Sequence, residues 1–303
     1  MKKLFLDHGP IAAFILSILL GGLNAIGVHY TVLELPPLWG AFLRLCPAAT
    51  IFFILVFLFK LPLPRGRALL GAILFGVINF GFSYAFVYYG MRKVEPGTAQ
   101  VIFALIPLIT IPLAILHRQE TFRWLALVGA LLAAGGIAIV FQDQVHLKVA
   151  VLPMVALILG AACLAEGGVI VKGLSTNHPI STSAIGMATG SIILFLMSTL
   201  SHENQTLPVR PMTWIALIYL ILIGSCVVFV LFLYVLKHWQ ASTVSYQFVL
   251  LPFVTMSVST LFANEPLDPI LSIGAALVLF GVFFGVLFSP SKQEVEQPAC
   301  ATC

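Results

Sequence analysis

Long apolar stretches dominate this chain of 303 residues. Each runs for about 20 residues, and short connections that carry Pro, Gly and most of the charges separate them. A helix rising about 1.5 Å per residue needs about 20 residues to cross a hydrocarbon core about 30 Å thick. The predicted fold class is therefore an all-α polytopic membrane protein. Its ten predicted spans are 11–31, 38–59, 68–90, 96–116, 122–141, 149–171, 180–200, 212–236, 241–262 and 267–288.

The small proportion of charged residues predicts the same fold class. Only 9% of the residues are charged and 60% are hydrophobic, whereas a soluble domain carries about 25% charged residues. Such a chain cannot cover a water-exposed surface, so most of its surface must face the lipid bilayer. Its net charge of +4 does not indicate a nucleic-acid partner, because the basic residues are scattered among the connections. We expect a multi-pass protein of the cell (inner or plasma) membrane, as a monomer or a weak homodimer.

The distribution of Lys and Arg predicts the orientation. With a cytoplasmic N-terminus, ten of these residues fall on the cytoplasmic side and four on the other. Cytoplasmic connections carry an excess of Lys and Arg, so we predict both termini in the cytoplasm. The cytoplasmic set is Lys2, Lys3, Lys60, Arg65, Arg67, Arg118, Arg123, Lys172, Lys237 and Lys292, and the opposite set is Arg92, Lys93, Lys148 and Arg210.

The segments 89–136 and 234–281 are two copies of one pattern, offset by 145 positions without a gap. Apolar matches between such segments arise by chance, but matched Pro, Glu and Gly residues in one register do not. The matched pairs include Pro107 with Pro252, Glu120 with Glu265, Gly129 with Gly274 and Gly136 with Gly281. An internal repeat in a hydrophobic chain is typical of transporters built from two related halves.

Five predicted spans separate the two copies, so the second copy must cross the membrane in the opposite direction. We predict ten helices in two inverted-topology five-helix repeats, at residues 1–146 and 147–289, followed by a disordered polar tail at 290–303. In such proteins the substrate site lies near the membrane midplane between the halves, and alternating access moves the substrate.

Two segments resemble a known family. They are GGLNAIGVHYTVLELPPLWGAFLR at 21–44 and YYGMRKVEPGTAQVIFALIPLITIPLA at 88–114, followed by Glu120 and a Gly-rich fifth span. They look like the EamA family of the drug/metabolite transporter (DMT) superfamily, and the resemblance covers essentially the whole chain. It implies ten helices, a central cavity lined mainly by spans 1, 3, 4, 6, 8 and 9, and transport of small metabolites, often export of amino acids. The positions that match are Asn24, Pro37, Arg44, Ala99, Pro107, Glu120, Gly129 and Gly136.

Polar side chains within the spans are the candidates for a substrate site, because they need partners that lipid cannot supply. Span 3 presents Asn79 and Ser83 on one helical stripe. Spans 4 and 9 present polar and aromatic residues at equivalent offsets before Pro107 and Pro252. The predicted cavity residues are Asn24, Asn79, Ser83, Tyr84, Gln100, Phe103, Glu166, Ser245, Tyr246 and Gln247.

Glu166 in span 6 is also the candidate coupling residue. A carboxylate in the bilayer costs at least about 2.5 kcal/mol on insertion scales, so it should face a cavity. Burial raises the pKa of a carboxylate, which could then exchange protons or bind a substrate amine. In the alternative, span 6 ends early and Glu166 lies at the cytoplasmic interface or pairs with Lys172.

The other charges of interest are predicted to be structural. Arg44, near one end of span 2, can reach the interface or bind loop carbonyls, and a substrate carboxylate is its alternative partner. Glu120 and Glu265 are predicted to cap the N-termini of spans 5 and 10. Pro107 and Pro252 each remove a backbone hydrogen bond from equivalent helices and are predicted hinges, unless they only shape packing.

Motifs of other protein classes do not occur in the sequence. There is no nucleotide-binding loop, zinc-protease motif or serine-hydrolase motif, so we expect no direct drive by ATP, no catalytic residue and no cofactor. One Cys-x-x-Cys pair in the tail supplies too few ligands for a metal site. We expect a secondary transporter of a small-molecule substrate, an amino acid or a related zwitterionic or aromatic compound, acting in export. The alternatives are a proton-coupled antiporter of cationic drug-like compounds and, from another class, a lipid flippase or a non-transporting membrane scaffold.

Overall fold

The computed structural model describes residues 8–94, 96–122, 124–140, 151–174 and 178–254, together with 277, 280 and 281. All regular elements within these ranges are helical. In chain order they are α1 (Gly9–Val32), α2 (Pro37–Leu58), α3 (Arg67–Met91), α4 (Pro96–Phe103 and Ile106–Leu116), α5 (Trp124–Val140), α6 (Val151–Leu174), α7 (Pro179–Leu200), α8 (Pro211–His238) and α9 (Ala241–Val254).

Six of the described helices are long and apolar enough to cross a bilayer, namely α1, α2, α3, α6, α7 and α8. The shorter apolar helices α4, α5 and α9 accompany them. The prediction of an all-helical polytopic membrane protein is confirmed at this level. Large apolar side chains cover the outside, such as Phe57 at 72% and Leu200 at 78% exposure, as expected for a surface that faces lipid. The end of predicted span 9, most of span 10, Glu265 and the C-terminal tail lie outside the described residues.

Close glycine contacts position α3 against α6 and α7. A Cβ atom added at Gly76 of α3 would lie 2.5 Å from the carbonyl oxygen of Gly186 in α7, so only glycine allows the two backbones to approach this closely. On the other side of α3, a Cβ atom at Gly160 of α6 would lie 2.8 Å from Val87 Cγ2. These contacts lie within one chain and hold α3 in the interior of the bundle.

Two helices change their winding at equivalent places. Residues Gly76–Phe82 of α3 and Leu220–Val227 of α8 are π-helical. A shift of 145 positions carries 76–82 onto 221–227, which falls inside the second segment. A π-helical turn rearranges the backbone hydrogen bonds and often marks a functional site.

The helix α4 is interrupted at Ala104–Leu105, between Pro96–Phe103 and Ile106–Leu116. The interruption lies just before Pro107, whose ring cannot donate a hydrogen bond to the preceding turn. Pro252 is buried within α9. The shape of α4 therefore follows from its proline.

Carboxylates tie the connections together at one end of the bundle, here called the Glu34 end (residues 33–36 and 201–210). Glu203 accepts hydrogen bonds from the backbone N–H groups of Leu38, at 3.2 Å, and Trp39, at 2.8 Å, in the first turn of α2. Glu34 accepts from the N–H groups of Val209 and Arg210 just before α8. Glu203, in the loop before α8, thus caps α2, and Glu34, in the loop before α2, caps α8. The helix dipole favours a negative charge at both N-termini.

The pKa of Glu34 is lowered from its ordinary value of 4.5. The hydrogen bond from the Thr213 side chain is the largest cause of this shift, and the N–H groups of Val209 and Arg210 act in the same direction. Hydrogen bonds of this kind stabilise the ionised carboxylate, so the cap depends on the charged form.

At the opposite end, here called the Glu120 end (residues 117–122 and 239–240), Glu120 differs from its predicted role. The sequence predicts a cap for α5, but the carboxylate accepts hydrogen bonds from the backbone N–H, at 3.1 Å, and the hydroxyl of Ser242 in the first turn of α9. Gln119 donates to the carbonyl of Val169 in α6 at 2.8 Å. The connection after α4 is therefore attached to the first turn of α9 and to the body of α6.

Candidate functional site

A cavity of about 140 Å³ lies among the helices. Its lining comes mainly from α1, α3, α4, α8 and α9, with single residues from α2 and α6. Seven of the predicted cavity residues line it, namely Asn24, Asn79, Ser83, Tyr84, Gln100, Phe103 and Gln247. Residues from both halves of the sequence therefore meet around one space.

Arg44 is the one charged side chain among the described residues that line the cavity. It is 3% exposed. Its Nε donates to Ser225 Oγ at 2.8 Å and its Nη2 donates to the carbonyl of Gly224 at 3.1 Å, both in the π-helical part of α8. Its guanidinium carbon also lies 5.0 Å from the centre of the Tyr84 ring. The side chain thus extends across the bundle to α8 and not toward the loop before α2.

Amide groups supply most of the remaining polarity. Gln247 accepts a hydrogen bond from Ser17 at 3.2 Å, which connects α9 with α1. Asn79 is 1% exposed, and its Nδ2 atom has no hydrogen-bond partner among the described residues. The Oδ1 atom of Asn24 is likewise buried without a partner in the described part of the chain. Buried polar atoms without partners are costly, so such atoms on a cavity wall are suited to a ligand.

Ser83 has a different role at this wall. Its hydroxyl donates to the carbonyl of Gly160 in α6 at 2.9 Å, and the side chain is fully buried. The hydroxyl is thus engaged in holding α3 against α6.

Aromatic rings form much of the apolar lining, beside aliphatic side chains such as Leu164 and Leu251. Tyr84 packs between Phe80 and Tyr88, with ring centres 5.6 Å and 6.0 Å away. The ring centres of Phe229 in α8 and Phe80 in α3 are 4.7 Å apart, so these two rings connect the helices that contain the π-helical segments. The further lining rings are Phe103, Phe232 and Phe248. The cavity therefore combines one cation, several amides and an aromatic surface.

Glu166 lies apart from this lining. Its Oε1 atom is 2.9 Å from His117 Nε2, at the end of α4, and both side chains are partly exposed. It is the one ion pair among the described residues, and it forms only when His117 is protonated. The prediction that Glu166 lines the cavity is therefore wrong, and its partner is His117 rather than Lys172, which the alternative interpretation named. Lys172 donates instead to the carbonyl of Leu236.

Ser245 and Tyr246 also lie off the cavity lining. Ser245 donates to the carbonyl of Ser242 at 2.7 Å, within its own helix. Tyr246 is fully buried. Sequence reasoning missed Ser17, Phe229 and Phe232. A Phe residue in an apolar span gives no sign of the face on which it lies.

A helical bundle with an apolar exterior and a polar-lined cavity among its helices has the construction of a membrane transporter. The sequence profile described as the EamA-like transporter family matches residues 9–142 and 151–287. This chain belongs to that family, as the resemblance predicts, and it is a multi-pass transporter of the cell membrane.

Several relatives align over most of their length. The inner membrane transporter YedA of Escherichia coli (strain K12) is 26% identical over 289 residues, covering 94% of this chain and 93% of the relative. The probable amino-acid metabolite efflux pump of the same organism is 24% identical over 293 residues, covering 93% and 96%. The probable terminal-alkyne amino-acid exporter of Streptantibioticus cattleyicolor is 25% identical over 223 residues, covering 72% and 73%.

A solved crystal structure matches with a TM-score of 0.76 at 16% sequence identity. The match covers 93% of this chain and 98% of that chain. At this identity the likeness shows the fold alone.

Proposed function

We propose that this protein is a secondary transporter that exports a small metabolite, an amino acid or a related zwitterionic or aromatic compound, by alternating access. The observation that carries the proposal is the composition of the cavity wall: Arg44, the amides of Asn24, Asn79 and Gln247, and a surface of aromatic rings. Such a wall suits a solute with a charged or polar head and an apolar body. Two relatives that are named as a probable exporter and a probable efflux pump of amino-acid compounds support this direction and class.

We further propose the ten-helix inverted arrangement, with halves at 1–146 and 147–289 and both termini in the cytoplasm. The ungapped repeat and the equivalent positions of the π-helical segments in α3 and α8 support it. In this arrangement Pro107 and Pro252 act as paired hinges, and the interruption of α4 before Pro107 supports such a role. The Glu34 end then faces outward and the Glu120 end faces the cytoplasm.

Proton-coupled antiport of a cationic compound is the second candidate function. The contact between His117 and Glu166 favours it, because it places an imidazole and a carboxylate 2.9 Å apart at the end of α4. The charge at the cavity argues the other way. Arg44 repels a cation, and no carboxylate lies among the described lining residues.

Flux in proteoliposomes tests the proposal. Purified protein would be assayed for uptake of a labelled amino-acid mixture, with and without an imposed pH gradient, beside a Glu166→Gln variant. Saturable flux of a component of the mixture supports the proposal. Flux that requires the gradient and is lost in Glu166→Gln assigns coupling to Glu166, whereas equal flux in both proteins indicates a facilitator. Transport of organic cations alone, or of labelled lipid between leaflets alone, would establish an alternative.

A further inference from the structure

We infer that Arg44 is the carboxylate-binding residue of the cavity and that the substrate is an organic acid anion with an apolar ring or chain. This inference rests on the proposed function, since it assumes that the cavity receives the transported solute. It defines the substrate class by one required group, a carboxylate.

Among the described residues, no carboxylate is paired with the charge of Arg44. An arginine at membrane depth is costly, and a buried cation is normally paired with an anion. The hydrogen-bond partners of Arg44, Ser225 Oγ and the carbonyl of Gly224, are neutral, and so is the neighbouring side chain of Tyr88. Among the described residues the only ion pair is that of His117 and Glu166, which lies off the cavity. A bound carboxylate would supply the missing charge.

The guanidinium is fixed but not saturated. It carries five N–H donors, and the bonds to Ser225 and Gly224 use one on Nε and one on Nη2. The ring of Tyr84 further restricts the side chain. Arginine binds carboxylates in a planar, two-bond geometry, and a guanidinium already held in place loses little rotamer freedom on binding.

A second polar group lies beside this cation. A Cβ atom placed on Gly224 would lie 2.2 Å from Asn24 Oδ1 and 3.2 Å from Arg44 Nη2, so both polar groups approach the same glycine. The buried Oδ1 atom of Asn24 has no partner in the described part of the chain. An amide oxygen next to a carboxylate site can accept from an ammonium or hydroxyl group on the neighbouring carbon of the ligand. The pair therefore fits the head of an α-amino or α-hydroxy acid.

The aromatic lining supplies the place for the rest of the molecule. Phe229 and Phe232 of α8 lie one and two helical turns beyond Ser225, and Phe103 and Phe248 complete the surface. A ring or branched chain in this space would be removed from water, whereas the head remains at Arg44.

Binding to the purified full-length protein in lipid nanodiscs tests the inference. Four probes share one ring: phenylalanine, 3-phenylpropionate, phenylalaninamide and 2-phenylethylamine. Isothermal titration calorimetry would compare them at equal ionic strength. We expect the two carboxylates to bind and the amide and amine to bind at least about tenfold more weakly, as expected for loss of a charge-assisted hydrogen-bond pair.

Variants separate binding by Arg44 from a purely structural role. Arg44→Gln should lose the preference for carboxylates, and Arg44→Lys should keep part of it. Ser225→Ala, which loosens Arg44 without removing its charge, should weaken both carboxylates and leave the amine unchanged. Arg92→Gln, at an exposed arginine beyond α3, is the matched control and should bind as the wild type does.

Equal affinity for the amine and the acid, or no binding of either carboxylate by the wild-type protein at millimolar concentration, would overturn the inference. The wild-type comparison decides this even where an Arg44 variant fails to fold. Failure of the two proposals can be told apart. Flux of solutes that lack a carboxylate refutes the role of Arg44 and keeps the transporter, whereas carboxylate-selective binding without flux of any carboxylate refutes the transporter and keeps the site.

Discussion

Gly167 and Gly168 are neighbours in α6 with different surroundings, and together they test the packing of α3 on α6. A Cβ atom at Gly167 would lie 2.7 Å from Asn79 Cβ, whereas the nearest atom to a Cβ atom at Gly168 would be Phe232 Cζ at 3.7 Å. The first distance is a clash with an atom close to the α3 backbone. The second is an ordinary van der Waals contact.

The expected difference follows from these distances. Replacing glycine by alanine within a helix gains about 0.5–1 kcal/mol, and this gain is the same at both sites. Overpacking a filled interior costs about 1–3 kcal/mol. Because the common gain cancels, Gly167→Ala should have a free energy of unfolding lower than that of Gly168→Ala by about 1–3 kcal/mol. Gly168→Ala should have a free energy of unfolding equal to or higher than that of the wild type.

Unfolding in mixed micelles titrated with a denaturing detergent would measure both free energies. The variant Asn79→Gly removes the clashing Cβ atom, so the double variant with Gly167→Ala should recover part of the loss, and a double-mutant cycle would measure the coupling. Flux should also fall in Gly167→Ala, since Asn79 lines the cavity. Equal stability of the two alanine variants, or no coupling to Asn79, would refute the packing argument.

Three further predictions concern single hydrogen-bonded groups. Glu120→Ala should lower the free energy of unfolding by about 0.5–2 kcal/mol, because the first turn of α9 loses its cap. Glu120→Gln should lower it by less. Chemical unfolding of both variants would measure the two losses, and equal losses would contradict the prediction. Ser83→Ala should lower the free energy of unfolding by about 0.5–1.5 kcal/mol, because it removes the hydrogen bond to the carbonyl of Gly160. Chemical unfolding would measure this loss, and an unchanged free energy of unfolding would contradict the bond. The pKa of Glu34 is lowered in the folded protein, so its stabilisation is complete above the ordinary value of 4.5 and is lost as the pH falls through the lower folded value. The difference in melting temperature between the wild type and Glu34→Gln should therefore be greatest near neutral pH and shrink in acid; a difference independent of pH would exclude the charged cap.

The helical class and the burial of polar stripes could be derived from the sequence, and the long-range partners could not. Apolar length alone identifies α1 and α2, because the bilayer sets the number of residues that a span needs. Asn79 and Ser83 are buried, as their common stripe indicates, because a polar face cannot turn to lipid. These inferences use only local periodicity and the properties of the solvent.

Arg44 and Glu120 show where local reasoning fails. From the sequence, Arg44 is near a span end and the nearest backbone groups are those of the adjoining loop. Its actual partners, Gly224 and Ser225, are 180 and 181 positions away. Glu120 likewise lies next to α5 in sequence but beside Ser242 in space. The capping rule correctly predicts that a carboxylate binds a helix N-terminus, but it cannot say which of several N-termini the bundle brings closest.

The crossed caps at the Glu34 end have a consequence for synthesis of the chain. The carboxylate that completes the first turn of α2 belongs to Glu203, which is 164 positions later than Trp39. A ribosome therefore delivers α2 to the membrane long before its cap exists, and the N–H groups of Leu38 and Trp39 must bind water or lipid headgroups until α7 has been inserted. Glu34 likewise lacks its partners Val209 and Arg210 until they have been synthesised, 175 and 176 positions later. We therefore expect this end of the bundle to close late in biogenesis, and a chain truncated before residue 203 would leave both α2 and Glu34 without these partners.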